Sequence, residues 1–91
     1  MAEYRLLVKP SAAKEIEAIG TKRDRQQIVR RIHALAAEPR PPSCEKLAGH
    51  STLFRVRQGQ YRVIYTVNDA QRTVEVVKVG HRREVYRSAP S

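Results

Sequence analysis

Three arginines lie close together near the middle of the chain, at Arg55, Arg57 and Arg62, and no acidic residue between Ser51 and Val67 balances them. A guanidinium group stays protonated and can grip a phosphate with two parallel hydrogen bonds. Clustered guanidinium groups repel one another unless an anion or a distant carboxylate neutralises them. An ordinary solvated sheet face mixes charges of both signs, so this cluster predicts a binding surface for phosphate or another polyanion.

Strand geometry predicts that these arginines share one face of a β-hairpin. Successive side chains of a strand point to opposite faces, so Arg55 and Arg57 lie together. A loop of even length, centred on Gln58-Gly59 or Gly59-Gln60, adds Arg62 to the same face. An odd loop would put Arg62 in the core, where an unpaired guanidinium is very costly, so burial favours the even register. The opposite face then carries Phe54, Val56, Tyr61, Val63 and Tyr65.

Other reactive residue types are sparse. The three histidines and Cys44 lack metal-ligand spacing, so we expect no metal and no cofactor. We interpret His33 and His50 as structural residues. Because a single cysteine cannot form an internal disulfide, and the N-terminus carries no apolar export segment, we expect a cytoplasmic protein.

The net charge indicates the kind of partner. Eighteen Lys and Arg against nine Asp and Glu leave a formal charge of +9. Nucleic acid is the leading candidate, an acidic protein fits as well, and no segment indicates membrane binding. One face of the second predicted helix is also basic, and we interpret it as the solvated side of an amphipathic helix in preference to a nucleic-acid surface. That face carries Lys22, Arg23, Arg25, Arg30 and Arg31.

The first half of the chain predicts a strand and two helices within a single domain, 1–91. Residues Tyr4 to Val8 form the strand, and Ser11 is the expected N-cap of the first helix, which Gly20 ends. Apolar residues recur along it at helical spacing, at Ala12, Ile16 and Ile19. Thr21 and Asp24 resemble a capping box that begins a second helix, and three prolines in the segment EPRPPS, residues 38–43, end it. Its apolar face carries Ile28, Ile32, Leu35 and Ala36.

The second half changes from helical to alternating periodicity and predicts a three-stranded antiparallel meander. The first strand contains Phe54 and Val56, the second runs from Tyr61 to Val67, and the third runs from Val74 to Val79. In the third strand Val77 and Val79 have the parity opposite to Val74 and Val76, so simple alternation would point them to the other sheet face. Gly80 is expected to end the sheet before a short basic tail, HRREVYR. The predicted fold class is α+β: two N-terminal helices packed on a mainly antiparallel sheet in the order β-α-α-β-β-β.

Three segments resemble the RelE/ParE superfamily of bacterial and archaeal toxins. They are Leu47-Ala48-Gly49, then FRVRQGQYRVIYTV at 54–67, then VEVVKVGHRREVYR at 74–87. The resemblance implies a RelE-like α+β fold over nearly the whole chain. RelE-type members cut messenger RNA in the ribosomal decoding site, whereas ParE-type members inhibit DNA gyrase and lack the nuclease residues.

The resemblance also implies roles for particular residues. The active surface of RelE-type toxins matches Arg55 and Arg57 as RNA-binding groups and Arg62, Arg82 and Tyr86 as catalytic groups. Some RelE toxins have Lys on the strand that here carries Arg55 and Arg57. The guanidinium group of Arg does not readily lose a proton. His81 and Glu84 are the candidates for proton transfer, although a structural role is expected for each.

The implied mechanism is metal-independent RNA cleavage, in which the 2′-hydroxyl of the RNA attacks the adjacent phosphorus. Implied partners are the ribosome, messenger RNA and a cognate antitoxin with an acidic segment, and operator DNA would be reached only through that antitoxin. Two alternatives stay open: a ParE-like gyrase inhibitor, and an inactive member that binds only antitoxin or nucleic acid.

Overall fold

The computed structural model describes residues 3–47, 49 and 52–81. Its elements, in chain order, are β1 (Arg5–Val8), α1 (Pro10–Glu17), α2 (Lys22–Ala37), β2 (Glu45–Lys46), β3 (Leu53–Gln58), β4 (Tyr61–Asn68) and β5 (Thr73–His81). The strands form one sheet in the order β1-β5-β4-β3-β2. Strand β1 runs parallel to β5, and the other pairs are antiparallel. The predicted α+β architecture is therefore confirmed, with the short strand β2 as an addition.

The two helices begin in different ways. Helix α1 starts at Pro10, and its N-cap is Lys9, which makes no side-chain capping bond. The prediction that Ser11 is the N-cap is wrong, because proline suits the first helical position, where no amide hydrogen is needed. Helix α2 starts as predicted: the Thr21 hydroxyl accepts a hydrogen bond from the Asp24 amide, with a nitrogen–oxygen distance of 3.4 Å.

The main core lies between the helices and one sheet face. Helix α2 contributes Ile28, Ile32 and Leu35, which are buried as predicted. The sheet contributes Val56, Val63, Tyr65, Val67, Val74, Val76 and Val79. On the other sheet face a smaller cluster forms, in which Leu53 and Ile64 are buried and Leu47 and Val77 pack against them. Neither helix of the described residues is long and apolar enough to cross a membrane.

A β-bulge in β5 explains why valines of both parities reach the core. Ile64 pairs with Lys78, but the next residue, Tyr65, pairs with Val76, so Val77 is the extra residue. The extra residue reverses the side-chain parity, and Val79 therefore joins Val76 beneath the helices. The strand also continues past Gly80, which was expected to end it, to His81.

The loop that joins α2 to β2 contacts the sheet through Pro39 and Arg40. The buried Tyr65 hydroxyl donates to the Pro39 carbonyl oxygen at 2.7 Å, and burial raises the pKa of this tyrosine. Arg40 forms an ion pair with Asp69 at 2.6 Å and lies over the Phe54 ring, 5.5 Å from its centroid. Arg40, together with the Tyr4 hydroxyl, lowers the pKa of the Asp69 carboxyl.

Candidate nucleic-acid interface

The hairpin between β3 and β4 brings the arginines together. Its two-residue loop is Gly59-Gln60, and Gly59 takes the positive φ of 61° that such a tight turn needs. Arg57 lies directly opposite Arg62, and Arg55 lies opposite Ile64, on the sheet face that the helices leave uncovered. Directly opposed side chains have β-carbons about 5 Å apart. The predicted even register is thus confirmed, and we call this surface, defined by Arg55, Arg57 and Arg62, the arginine face.

The arginines differ in how far they reach solvent. Arg57 is exposed near the hairpin tip, Arg55 is half-buried, and Arg62 is only 8% exposed on the central strand β4. A guanidinium group held this deeply costs free energy unless hydrogen bonds or an anion compensate for its lost water. Residues in such positions are candidates for function. Arg62 is therefore the least solvent-exposed of the three residues of the arginine face.

Strand β2 supplies a carboxylate that sequence reasoning did not assign. Glu45 is the cross-strand partner of Arg55, and its Oε1 lies 3.0 Å from Nη2 of that arginine. Of the two ways to neutralise the cluster, an anion or a distant carboxylate, the second is present here for Arg55. A two-residue strand has no periodicity to detect, so only the pairing with β3 reveals Glu45 as part of the site.

Apolar side chains adjoin the arginines on the same face. Ile64 and Leu53 follow Arg62 and Arg55 away from the hairpin tip, and both are buried. Gly80 is the β5 partner of Arg62 and adds no side chain beside it. The arginine face therefore combines charge near the tip with a buried apolar cluster further along, and the charged part suits a phosphate.

Two further polar residues of β5 have partners of their own. Lys78 forms an ion pair with Glu15 of α1, whose other carboxylate oxygen accepts a hydrogen bond from the Val79 amide at 3.0 Å. His81 pairs with Tyr61, and the two rings meet edge to face with centroids 5.9 Å apart. Cross-strand partners share a face, so His81 lies on the side opposite to the arginines. Its Nε2 is 2.9 Å from the side-chain oxygen of Gln60.

The remaining predicted site residues, Arg82, Glu84 and Tyr86, lie outside the described residues. Their place beside the arginine face stays a prediction. So does proton transfer by His81, although the position of this side chain on the opposite face does not favour it.

Two helices packed on a five-stranded, mostly antiparallel sheet match the architecture of solved RelE toxins. The chain is similar to a double arginine-to-alanine mutant of toxin RelE from E. coli in the free state, with 30% identity, a TM-score of 0.78, and coverage of 98% of this chain and 95% of that one. It is also similar to the archaeal RelE–RelB complex from Pyrococcus horikoshii, with 28% identity, a TM-score of 0.76, and coverage of 87% and 94%.

The family of ParE toxins of type II toxin–antitoxin systems, parDE, matches residues 6–86, so the chain belongs to this family. Over 46 residues, half of this chain, it is 39% identical to toxin RelG of Mycobacterium tuberculosis. That match spans about half, 49%, of the length of the curated relative. The resemblance to RelE/ParE-type toxins is confirmed.

Proposed function

We propose that this toxin cleaves messenger RNA bound to the ribosome, as a metal-independent endoribonuclease that inhibits translation. The observation that carries the proposal is the opposition of Arg57 and Arg62 across β3 and β4, with Arg55 two residues along on the same face. Paired guanidinium groups at this spacing suit a phosphate that gains negative charge during the reaction. The similarity to solved RelE toxins supports the same assignment.

The proposed reaction uses the RNA's own 2′-hydroxyl as nucleophile. Its oxygen attacks the adjacent phosphorus, the bond from phosphorus to the 5′-oxygen breaks, and the proton lost by the nucleophile is balanced by one gained by the leaving oxygen. Arg55 and Arg57 hold the phosphate, and Arg62 stabilises its developing charge. The sequence resemblance adds Arg82 at the leaving oxygen and Tyr86 against the base or nucleophile.

Proton transfer is the step with the least support from this chain. Glu45 is the carboxylate in contact with the described part of the cluster, and its Oε1 is engaged by Arg55 at 3.0 Å. His81 faces the other side of the sheet, and Glu84 stays a candidate from the sequence. We therefore expect weak cleavage of free RNA and much faster cleavage when the ribosome prearranges the substrate.

A ribosome-programmed cleavage assay with end mapping tests the proposal. We expect Arg62→Gln to lower the cleavage rate by about 100-fold, because the variant keeps an amide donor but loses the charge that stabilises the transition state. Arg5→Gln is the control, since Arg5 is an exposed residue of the edge strand β1, at the other end of the sheet from β3 and β2. Cleavage by Arg62→Gln at the parent rate would contradict the assignment.

We also propose that a cognate antitoxin neutralises the toxin through a flexible, acidic segment. The solved RelE–RelB complexes and the net charge of +9 support this partner. Co-expression with the product of the adjacent gene tests it. We expect a complex that purifies intact at low salt and suppresses ribosomal cleavage, and free toxin after co-expression would argue against that partner.

Gyrase inhibition is the second candidate function. It is favoured by one observation, the match of residues 6–86 to the ParE family. A supercoiling assay with purified gyrase separates the two candidates. Inhibition of supercoiling, without cleavage of ribosome-bound messenger, would replace the nuclease proposal with this one.

A further inference from the structure

A basic cavity lies on the helix side of the sheet, away from the arginine face. Its volume is about 290 Å³, and it opens between α2 and the end of β3. The residues that line it are Gln27, Arg30, Arg31, Ala34 and Gln58. We propose that this cavity is a second RNA-binding site, which holds a phosphate and its nucleotide from the strand whose scissile phosphate lies on the arginine face.

The cavity wall is partly preorganised. Arg31 is half-buried, and its Nη2 donates to the Ser43 hydroxyl at 2.5 Å, which restrains the guanidinium group. Its Nε is buried and makes no hydrogen bond with the described residues. The side-chain amide nitrogen of Gln58 donates to the side-chain oxygen of Gln27 at 3.4 Å, in the cavity wall. A restrained guanidinium group loses little entropy when it binds an anion.

The lining chemistry favours a nucleotide over an acidic peptide. Two guanidinium groups match a phosphate, and the two side-chain amides can pair with the edge of a base. Among the described residues that line the cavity none is acidic, and Ala34 is the one apolar side chain. A peptide segment would need more apolar contact, of the kind offered by the separate groove beside Ile16 and Val29.

The edge of β3 connects the cavity with the arginine face. Arg57 and Gln58 are consecutive residues of this strand, so their side chains lie on opposite faces. Strand β2 pairs only with Phe54 and Arg55, which leaves the edge at Arg57 and Gln58 uncovered by β2. A single RNA strand that passes around this edge can therefore contact both sites. The identity of the strand as substrate rests on the proposed nuclease function.

Binding of a short fluorescein-labelled single-stranded RNA, followed by fluorescence anisotropy at low salt, tests the cavity. We expect Arg30→Gln and Gln27→Glu each to weaken binding about 5- to 10-fold, because one removes a phosphate contact and the other adds a repelling carboxylate. The matched controls are Arg23→Gln and Gln26→Glu, which make the same charge changes at exposed positions of α2 outside the cavity. We expect the controls to change affinity less than about 2-fold.

Equal losses in the cavity variants and their controls would overturn the proposal, since they would show only an effect of net charge. Absence of RNA binding by the unsubstituted protein would also overturn it. If a polyglutamate peptide binds as tightly and loses the same affinity in the cavity variants, the site is one for acidic protein and the RNA assignment is wrong. Loss of RNA binding in the cavity variants alone supports the site even if the ribosomal assay shows no cleavage, so the two proposals fail separately.

Discussion

At the scale of single residues, Glu45 makes a contact on the arginine face that would compete with the proposed RNA substrate. Glu45 is exposed, yet its carboxylate occupies Arg55 at 3.0 Å. An incoming phosphate must displace or share this ion pair. Glu45 therefore lowers the cost of clustered positive charge in the free protein and would also oppose the proposed binding of RNA.

Replacing Glu45 should strengthen RNA binding. For Glu45→Gln we expect about a 3-fold gain in affinity for single-stranded RNA at low salt, because the repulsion between carboxylate and phosphate is lost. Fluorescence anisotropy measures this, with Glu17→Gln, an exposed position at the end of α1, as the control for net charge. An equal gain in both variants would show that the pairing with Arg55 has no special effect.

The buried hydroxyl of Tyr65 makes a contribution that should depend on pH. Tyr65→Phe leaves the Pro39 carbonyl oxygen without its donor, and we expect a loss of about 1 to 2 kcal/mol in the free energy of unfolding at neutral pH. Burial raises the pKa of Tyr65, so the folded state holds the proton more tightly than the unfolded chain, whose ordinary value is 10.0. The stabilisation is then complete below pH 10 and falls as the pH rises through the higher folded value.

Urea unfolding at neutral pH and above pH 10 should therefore show a smaller difference between the parent and Tyr65→Phe at the higher pH. Tyr61→Phe is the control for removing a phenolic hydroxyl from the same strand, because Tyr61 lies on β4 and its hydroxyl makes no hydrogen bond with the described residues. A constant difference for Tyr65→Phe across this range would contradict the raised pKa.

At the scale of elements, β5 is longer than its parallel neighbour and needs other contacts along its outer edge. Strand β1 pairs only with Thr73–Val76. Beyond the bulge, helix α1 takes over: Glu15 accepts the Val79 amide hydrogen and also pairs with Lys78. One carboxylate thus connects the first helix to the strand that ends beside Arg62.

Truncation of that carboxylate should loosen the contact between α1 and β5. For Glu15→Ala we expect a loss of about 1 to 3 kcal/mol, since the partly buried Val79 amide and Lys78 ammonium groups both lose their partner. Urea unfolding measures it, and Glu17→Ala, an exposed residue of the same helix, should change stability by less than about 0.5 kcal/mol. Similar losses in the two variants would show that Glu15 acts only through helix propensity.

At the scale of the whole molecule, the net charge of +9 should govern association with any polyanion. If about three phosphates are neutralised, the affinity for single-stranded RNA should fall about 20-fold between about 50 and 200 mM salt. Anisotropy titrations at several salt concentrations give this slope. An affinity that does not change with salt would exclude phosphate contacts as the basis of binding.

Much of the fold follows from local patterns in the sequence. Helical spacing located the buried face of α2, Thr21 marked its start, and alternation located β3 and β4. The N-cap of α1, strand β2 and the bulge at Val77 could not be predicted in this way. A two-residue strand and a one-residue bulge carry too little periodicity to be recognised. Strand β2 forms because β3 supplies its pairing partners, and the bulge lies where the register between β4 and β5 shifts.

The sequence by itself determined the cluster of arginines and, through strand parity and the cost of burying a charge, their common face. Tertiary structure alone decided that Glu45 pairs with Arg55, that Lys78 is bound to Glu15, and that His81 lies on the opposite side of the sheet. The physical reason is the separation along the chain between the residues that interact. Side-chain alternation acts between neighbours in one strand, whereas these ion pairs and ring contacts join residues that meet only when strand register and the bulge are set.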